Sequence, residues 1–451
     1  MSSSSESAGD RFLRNLSAAI HIPTVSYDSP EERDLGRLHT FHRFLEDTYP
    51  LIHEQCQIET INEYSLLMTW NGSDPELDPI VVMAHHDVVP VEPGTEDDWP
   101  ADPFSGEVLG DHLWGRGALD NKGPLIAILE ATEQLLGAGF IPTRTVLIVS
   151  GHDEETGGME GAKEIAETLR QRGVRPWFVL DEGGFIVDDI PRLSSEPVAL
   201  VRTSEKGFVN LKLTARGEGG HSSAPKLPTT VGKLAIALKA LEDNPLRARI
   251  KMVEPTVQAL MPRLGPSFRL LFGNLRFTGP LVSKILAKNP VTEAWIRTTT
   301  AITFVSGGVK ANVIPREATA TVNFRIIPGD TVESVIAHVR HVVGSDIGIE
   351  TVGELPHEAS PVSSIESDAW NTLTSVVSET FPETIVAPWT LIAGTDARHF
   401  AGIAGDVYGF TPFTISLSDS ERFHGTGERV RVRDAERAVA FFVSLTKNAA
   451  G

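Results

Sequence analysis

The sequence predicts an α/β protein whose main domain is interrupted by a smaller α+β domain. Three observations carry that expectation. First, the runs PIVVMA at 79–84, TVLIVS at 145–150 and WFVL at 177–180 are apolar, rich in β-branched residues and bounded by turn formers, as buried parallel strands are. Between them, NKGPLIAILEATEQLLGAG and MEGAKEIAETLRQRG show helical spacing and stop at a glycine. Second, the texture changes near residue 205. FVNLKLTARG alternates like a half-exposed strand, TTVGKLAIALKALED is helical, AITFVSG and ATATVNFRI are strands, TVESVIAHVRHVV is helical and IGIETV is a strand. Strand-helix-strand-strand-helix-strand is the order of a ferredoxin-like α+β unit. Third, the α/β texture returns after about residue 355. The chain therefore divides into main domain 1–204, inserted domain 205–354 with a Pro- and Leu-rich insertion at 244–300, and main domain again at 355–451.

At 451 residues the chain has room for two or three domains, at ~150 residues each. Sixty acidic against forty basic residues give a formal charge of −20, which argues against a nucleic-acid partner. The single cysteine, Cys56, excludes an internal disulfide and a thiolate metal cluster, leaving histidine and carboxylate as the available metal ligands. The start, MSSSSESAGD, has neither a basic nor an apolar signal region, and no apolar run is long enough to span a bilayer. A cytoplasmic location is the expectation.

Open α/β sheets bind ligands at the carboxyl ends of their strands, and the polar residues gather there. AHHDVVP follows the first run, with His85 and Asp87 two apart, so that Asp87 can accept the second ring N–H of a metal-bound His85. GRGALDNKG places Asp120 just before a helix, GHDEETGG supplies Glu154 and Glu155, and DEGG supplies Asp181 and Glu182. Taken singly, each has an ordinary explanation as a core histidine, a helix cap or a solvated turn. Their recurrence at successive strand ends favours a shared site. A histidine and carboxylate set without cysteine suits two Zn²⁺ ions bridged by a carboxylate. If the segment stays extended, adjacent glutamates point apart, so one can bind metal while the other faces water as a base.

These motifs resemble a known family. HHDVVP, GRGALDNKG, GHDEETGG, VLDEGG, GGHSSAP, ANVIPREA and FHGTGE occur in the order found in the co-catalytic dizinc amidohydrolases, which include aminoacylase, glutamate carboxypeptidase and acetylornithine deacetylase. GHDEE, DEGG, GTDARHF and the long insertion look most like the carboxypeptidase S and N-fatty-acyl-amino-acid hydrolase branch. The resemblance implies a dizinc exopeptidase-like α/β catalytic domain and an inserted lid or dimerisation domain. It implies two Zn²⁺ per subunit, with Co²⁺ or Mn²⁺ as substitutes, held by His85 and Asp181 on one side, Glu155 and His424 on the other, and Asp120 between them. Glu182 is the alternative to Asp181. Glu154 would be the general acid/base, Asp87 the orienting group and His221 an oxyanion contact, often from the partner subunit of a homodimer. Asn312, Arg325, Gly394, Thr395 and Asp396 would line the substrate cleft. Arg325 lies on the polar face of ATATVNFRI, where it could clamp a carboxylate.

The expected activity is hydrolysis of N-acyl amino acids, including long-chain ones, with dipeptidase or carboxypeptidase action on small peptides as the alternative. A non-catalytic binding protein on the same fold is disfavoured because the base and the ligands are all present. Between residues 246 and 290 the insertion carries eight basic residues and one acid, interleaved with apolar ones such as Phe268, Leu271, Phe272 and Phe277. That mixture suits an anionic amphiphile, an acyl-chain channel or weak contact with anionic lipid. The bland alternative is helices packed on the smaller domain with their charges in water.

Overall fold

The structure is a computed structural model that describes residues 6–188, 196–416, 419 and 422–451. Among these, the main sheet has ten strands. Its centre is parallel: Ile80–Met83 lies between Val146–Ser150 and Phe178–Asp181 and runs with both. Residues of all three strands are buried on both faces, which is why they read as continuous apolar runs instead of alternating ones. Asp406–Gly409 extends the sheet in parallel beside Phe178–Asp181. The outer strands Gln57–Ile61 and Ser65–Trp70 form an antiparallel margin.

Helix Lys122–Gly137 crosses the main core, and thirteen of its residues are buried, Leu125, Ile128 and Leu129 among them. It packs on Ala8–Ile20 and on the C-terminal helix Ala435–Ala450, so the last segment of the chain completes the core begun by the first. Helix Ala162–Gln171 covers the other face through Ile165, Ala166 and Leu169.

Strand Val198–Glu205 belongs to the main sheet, and the next strand, Gly207–Arg216, begins a separate four-stranded sheet. That sheet is antiparallel, in the order Thr299–Gly307, Glu317–Ile326, Gly207–Arg216, Ile347–Thr351. With helices Thr230–Asp243 and Val332–Val343 it forms the ferredoxin-like arrangement. Alternate residues of Glu317–Ile326 are buried, and Ala320, Val322, Phe324 and Ile326 enter a core distinct from the main one.

The 244–300 insertion packs on the main domain, unlike the alternative in which its helices pack on the smaller one. Helix Glu254–Leu260 lies against strand Ile385–Leu391 of the main sheet, and Leu260, Leu264, Phe272 and Val282 join the main hydrophobic core. The reason is an exposed sheet margin. Among the described residues Ile385–Leu391 pairs only with Val198–Glu205, and an edge strand needs cover.

The two cores predict separable stabilities. Phe324 is fully buried in the smaller core, so Phe324→Ala should cost that unit ~3–5 kcal/mol. Hydrogen exchange should rise across Gly207–Arg216 and Glu317–Ile326 while the central main strands stay protected.

Candidate metal centre

His85 and Asp87 leave strand Ile80–Met83 almost fully buried. His85 Nδ1 lies 3.0 Å from the Asp87 carbonyl oxygen and 3.3 Å from Asp87 Oδ1. A proton on Nδ1 therefore leaves the Nε2 lone pair for a ligand. The Asp87 carboxylate also accepts the Ser26 hydroxyl at 2.7 Å and the backbone N–H groups of Glu154 and Glu155, each at 3.2 Å. One buried carboxylate thus orients the histidine and holds the glutamate pair.

The pair does not sit on an extended segment, as expected from sequence, but in the 3₁₀ turn Glu154–Thr156. Gly157 and Gly158 end that turn with φ of 104° and 64°. A Cβ at Gly158 would meet Asp396 Oδ1 at 1.9 Å, so only glycine fits there.

Asp120 is positioned from behind by Glu428, the last residue of FHGTGE. Glu428 Oε1 accepts the N–H groups of Leu119 and Asp120 at 2.8 and 2.9 Å. Its Oε2 accepts from Gly117 and pairs with Arg116 at 2.7 Å. Arg116 in turn donates to the carbonyls of His424 and Gly425, both at 3.1 Å. This ion pair ties the Asp120 loop to the His424 loop, where His424 adopts a left-handed φ of 59°.

Among the described residues three candidate ligand groups overlap, one of them His85, Glu154 and Glu155, and the other two share Asp120. In one, His85 Nε2 lies 3.0 Å from Asp120 Oδ1 and 3.5 Å from Glu182 Oε1. In the other, His424 Nε2 lies 3.3 Å from Asp120 Oδ2 and 3.2 Å from Glu155 Oε2. Within each set the ligand atoms are within 4.8 Å of one another. Glu154 Oε2 is 3.9 Å from His85 Nε2.

The electrostatics call for added positive charge. Burial, reinforced by Asp120, pushes both Glu155 and Glu182 up to about 7. Burial drives Glu154 well above the carboxylate range against the pull of His85, and Glu155 and Glu182 add to the push. Hydrogen bonds to Asp120 and Glu155 raise His424 to about 10. Four carboxylates face two imidazoles, and Glu155 Oε1 is buried without a hydrogen-bond partner. Nitrogen and oxygen donors in these overlapping sets fit a binuclear, dizinc-type site.

Of the two fourth-strand acids, Glu182 stands in a candidate ligand group with His85 and Asp120. Asp181 Oδ2 accepts the Ala397 N–H at 3.0 Å and lies 3.8 Å from Arg202, whereas Glu182, one residue beyond the strand end, turns into the cage. Thr395 and Asp396 are buried behind the turn of Glu154, with Asp396 packed against Gly151 and Gly158. The Thr395 hydroxyl donates to Glu205 Oε2 at 2.9 Å, and Asp396 is buried with both oxygens unpartnered. Gly394 and Arg398 of the same loop are half-buried.

His221 and Asn312 come together on the smaller domain, where strands Gly220–His221 and Val313–Ile314 pair. Both are exposed, and no hydrogen bond or ion pair connects them to the cage among the described residues. Arg325 is half-buried, with its guanidinium 5.0 Å from the Phe208 ring centre. Three residues were missed from sequence: Arg116 and Glu428 behind Asp120 and His424, and Arg398, which donates to the Gly157 and Thr395 carbonyls. All three stand inside the quoted motifs, in GRGALDNKG, FHGTGE and GTDARHF.

Residues 81–448 match the model of peptidase family M20/M25/M40. The chain belongs to this family. The M20 assignment is supported by curated relatives. The chain is 40% identical over 443 residues to the human N-fatty-acyl-amino acid synthase/hydrolase PM20D1, covering 96% of this chain and 87% of the relative. It is 37% identical over 440 residues to the "Probable carboxypeptidase S-like 2" of Dictyostelium discoideum, covering 96% and 84%. The M20 metallo-carboxypeptidase Sso-CP2 of Sulfolobus solfataricus shares the fold, with a TM-score of 0.66 at 19% identity over 97% of this chain and 98% of that one. The M20 fold and the ligand cage together make the protein a metal-dependent hydrolase of amide or peptide C–N bonds.

The geometry separates the two neighbouring acids by experiment. Glu182→Ala should lose about one metal equivalent, while Asp181→Asn should retain both. Metal content of the purified proteins after dialysis is the measurement.

Proposed function

We propose that this protein hydrolyses N-acyl amino acids that carry a free carboxylate. The observation that carries the reading is a pair of half-buried guanidinium groups, Arg398, which donates to Gly157 at the end of the Glu154–Thr156 turn, and Arg325, which feels the charge of Arg398. Among the described residues neither Arg325 nor Arg398 lies within ion-pair distance of a carboxylate. Guanidinium groups without a carboxylate at ion-pair distance offer an anionic headgroup a partner. Half-buried Phe185 and Phe423, with ring centres 5.0 Å apart, add apolar surface next to His424. The name printed for the human relative supports the same substrate class.

His85, Asp120 and Glu182 would hold one ion, and Asp120, Glu155 and His424 the other. Two divalent ions, when bound, supply Lewis acidity and lower the pKa of water at the site. Glu154 then accepts a proton from the attacking water. As the carbon–oxygen bond forms and the carbon–nitrogen bond breaks, Glu154 returns that proton to the departing nitrogen. Asp87 keeps the His85 tautomer fixed throughout. His221, with Asn312 beside it, provides the oxyanion contact from the partner subunit of a homodimer. The free edge strand Thr299–Gly307, with Phe304 and Val305 exposed, offers a surface for such a dimer.

Carboxypeptidase action on short peptides is the second reading, since the same guanidinium groups fit a peptide C-terminus. A substrate panel of N-acyl amino acids against dipeptides, at saturating zinc, separates them. Higher kcat/KM on dipeptides would overturn the N-acyl assignment.

Two further outcomes are expected. Glu154→Gln removes the base and leaves the five residues assigned to the two ions, His85, Asp120, Glu155, Glu182 and His424, so kcat should fall by ~10²–10⁴ with both metals retained. Mixing inactive Glu154→Gln with inactive His221→Ala should restore activity through hybrid dimers, read as turnover against mixing ratio. An absence of rescue despite demonstrated subunit exchange would place His221 in the same chain's site.

A further inference from the structure

Apart from the metal centre, a cavity of about 90 Å³ lies where the insertion meets the main sheet. Leu260, Leu264, Phe272 and Leu286 form its insertion side, and Leu200 and Trp389 its sheet side. Its hydroxyls are turned outward from the space. Thr256 and Thr292 donate to the carbonyls of Pro388 and Leu286, and Thr390 shares a hydrogen bond with Ser204. Of the lining donors only the Trp295 indole N–H lacks a partner. A water inside would find one donor where it needs two to four polar partners, so the occupant suited to this space is hydrocarbon.

One side chain links the wall of the cavity to the turn that carries Glu182. Trp389 presents its ring to the cavity, and its indole N–H donates to the Gly183 carbonyl at 3.0 Å. Gly183 directly follows Glu182 of the cage. Two residues beyond Trp389 the same strand ends, and the chain passes into the loop that carries Gly394 and Arg398. The insertion around the cavity is basic, eight cationic residues to one acid between 246 and 290, in a protein of formal charge −20. The N-acyl amino acid proposed above, with its carboxylate at Arg325 and Arg398, offers this cavity its apolar tail alone.

We infer that this cavity is the subsite for the distal acyl chain of the substrate, entered past Trp389. The inference rests on the N-acyl amino acid reading above and adds the location of the tail. It makes Leu260, Phe272, Leu286 and Trp389 specificity-determining residues, acting on acyl length and not on the bond-breaking step.

The test is kcat/KM against acyl length at fixed amino acid, below micelle-forming concentrations, for the zinc-loaded full-length protein. Wild type should gain up to about fourfold per methylene seated, until the cavity is filled. Leu260→Phe narrows the space and should end the climb at shorter chains, while Leu286→Ala widens it and should carry the climb to longer ones. Hydrolysis of the N-acetyl substrate should be unchanged in both. A length profile identical in wild type and both variants would overturn the cavity assignment while leaving the hydrolase reading intact. No hydrolysis of any N-acyl amino acid, N-acetyl included, would instead overturn the hydrolase reading.

A binding measurement covers the case in which a variant fails to fold. A terminally brominated N-acyl amino acid should quench tryptophan fluorescence of the Glu154→Gln protein, because Trp295 and Trp389 line the cavity. The quench should shrink in Glu154→Gln with Trp295→Phe. An unchanged quench, or none at concentrations that saturate wild-type turnover, would place the acyl chain elsewhere.

Discussion

The site depends on one buried carboxylate. Asp87 is fully buried, and a charge in that position persists only if its lone pairs are taken up. They are filled from three separate parts of the chain: the Ser26 hydroxyl, the His85 ring, and the N–H groups of Glu154 and Glu155. Burial alone would push Asp87 up, but His85 and these hydrogen bonds hold it below its ordinary value. The charge that stabilises the imidazole therefore also fixes the turn carrying the two glutamates. Register between the ends of strands Ile80–Met83 and Val146–Ser150 becomes a property of the site as much as of the sheet.

A second carboxylate repeats the device on the opposite side. Glu428 accepts the N–H groups of Gly117, Leu119 and Asp120, and its partner Arg116 reaches the carbonyls of the His424 loop. Both supports lie behind the ligands and neither is a member of the cage sets. The arrangement follows from electrostatics. Asp120, Glu154, Glu155 and Glu182 repel one another, so their loops would spread unless anchored through backbone groups whose bonds do not depend on the state of the cage. Arg116 and Glu428 are nearly inaccessible to water, and removal of either would strand a buried charge.

Strand positions, the histidine and aspartate pair, the paired glutamates and the ferredoxin-like strand order were legible because each depends on local pattern. The three apolar runs gave strands at Ile80–Met83, Val146–Ser150 and Phe178–Asp181, within a residue of the expected bounds. What was illegible depended on where a strand stops. Asp181 and Glu182 are both acidic, and side-chain direction alternates only within the strand. Phe178–Asp181 ends at Asp181, and Gly183 turns the chain with φ of 89°, which aims Glu182 inward. The same limit applies to Thr395 and Asp396. Their sequence is polar, but Glu205 and the glycines at 151 and 158 give them buried places that no local pattern announces. The packing of the insertion was likewise hidden, since its apolar residues do not say which surface they cover.

Strand Ile385–Leu391 connects these themes. It pairs on one side with Val198–Glu205, the strand that leads directly into the smaller domain at Gly207. It is covered by helix Glu254–Leu260 of the insertion, and it runs on into the loop of Gly394 and Arg398. Through Trp389 it also touches the turn that carries Glu182. A displacement of the insertion must therefore be absorbed by this strand, and close packing leaves the strand little room to absorb it without moving Trp389 or the loop. Covering the edge of the sheet and shaping the approach to the metal centre are consequently the same structural act. This is why an insertion placed in the smaller domain by sequence belongs to the main domain by packing.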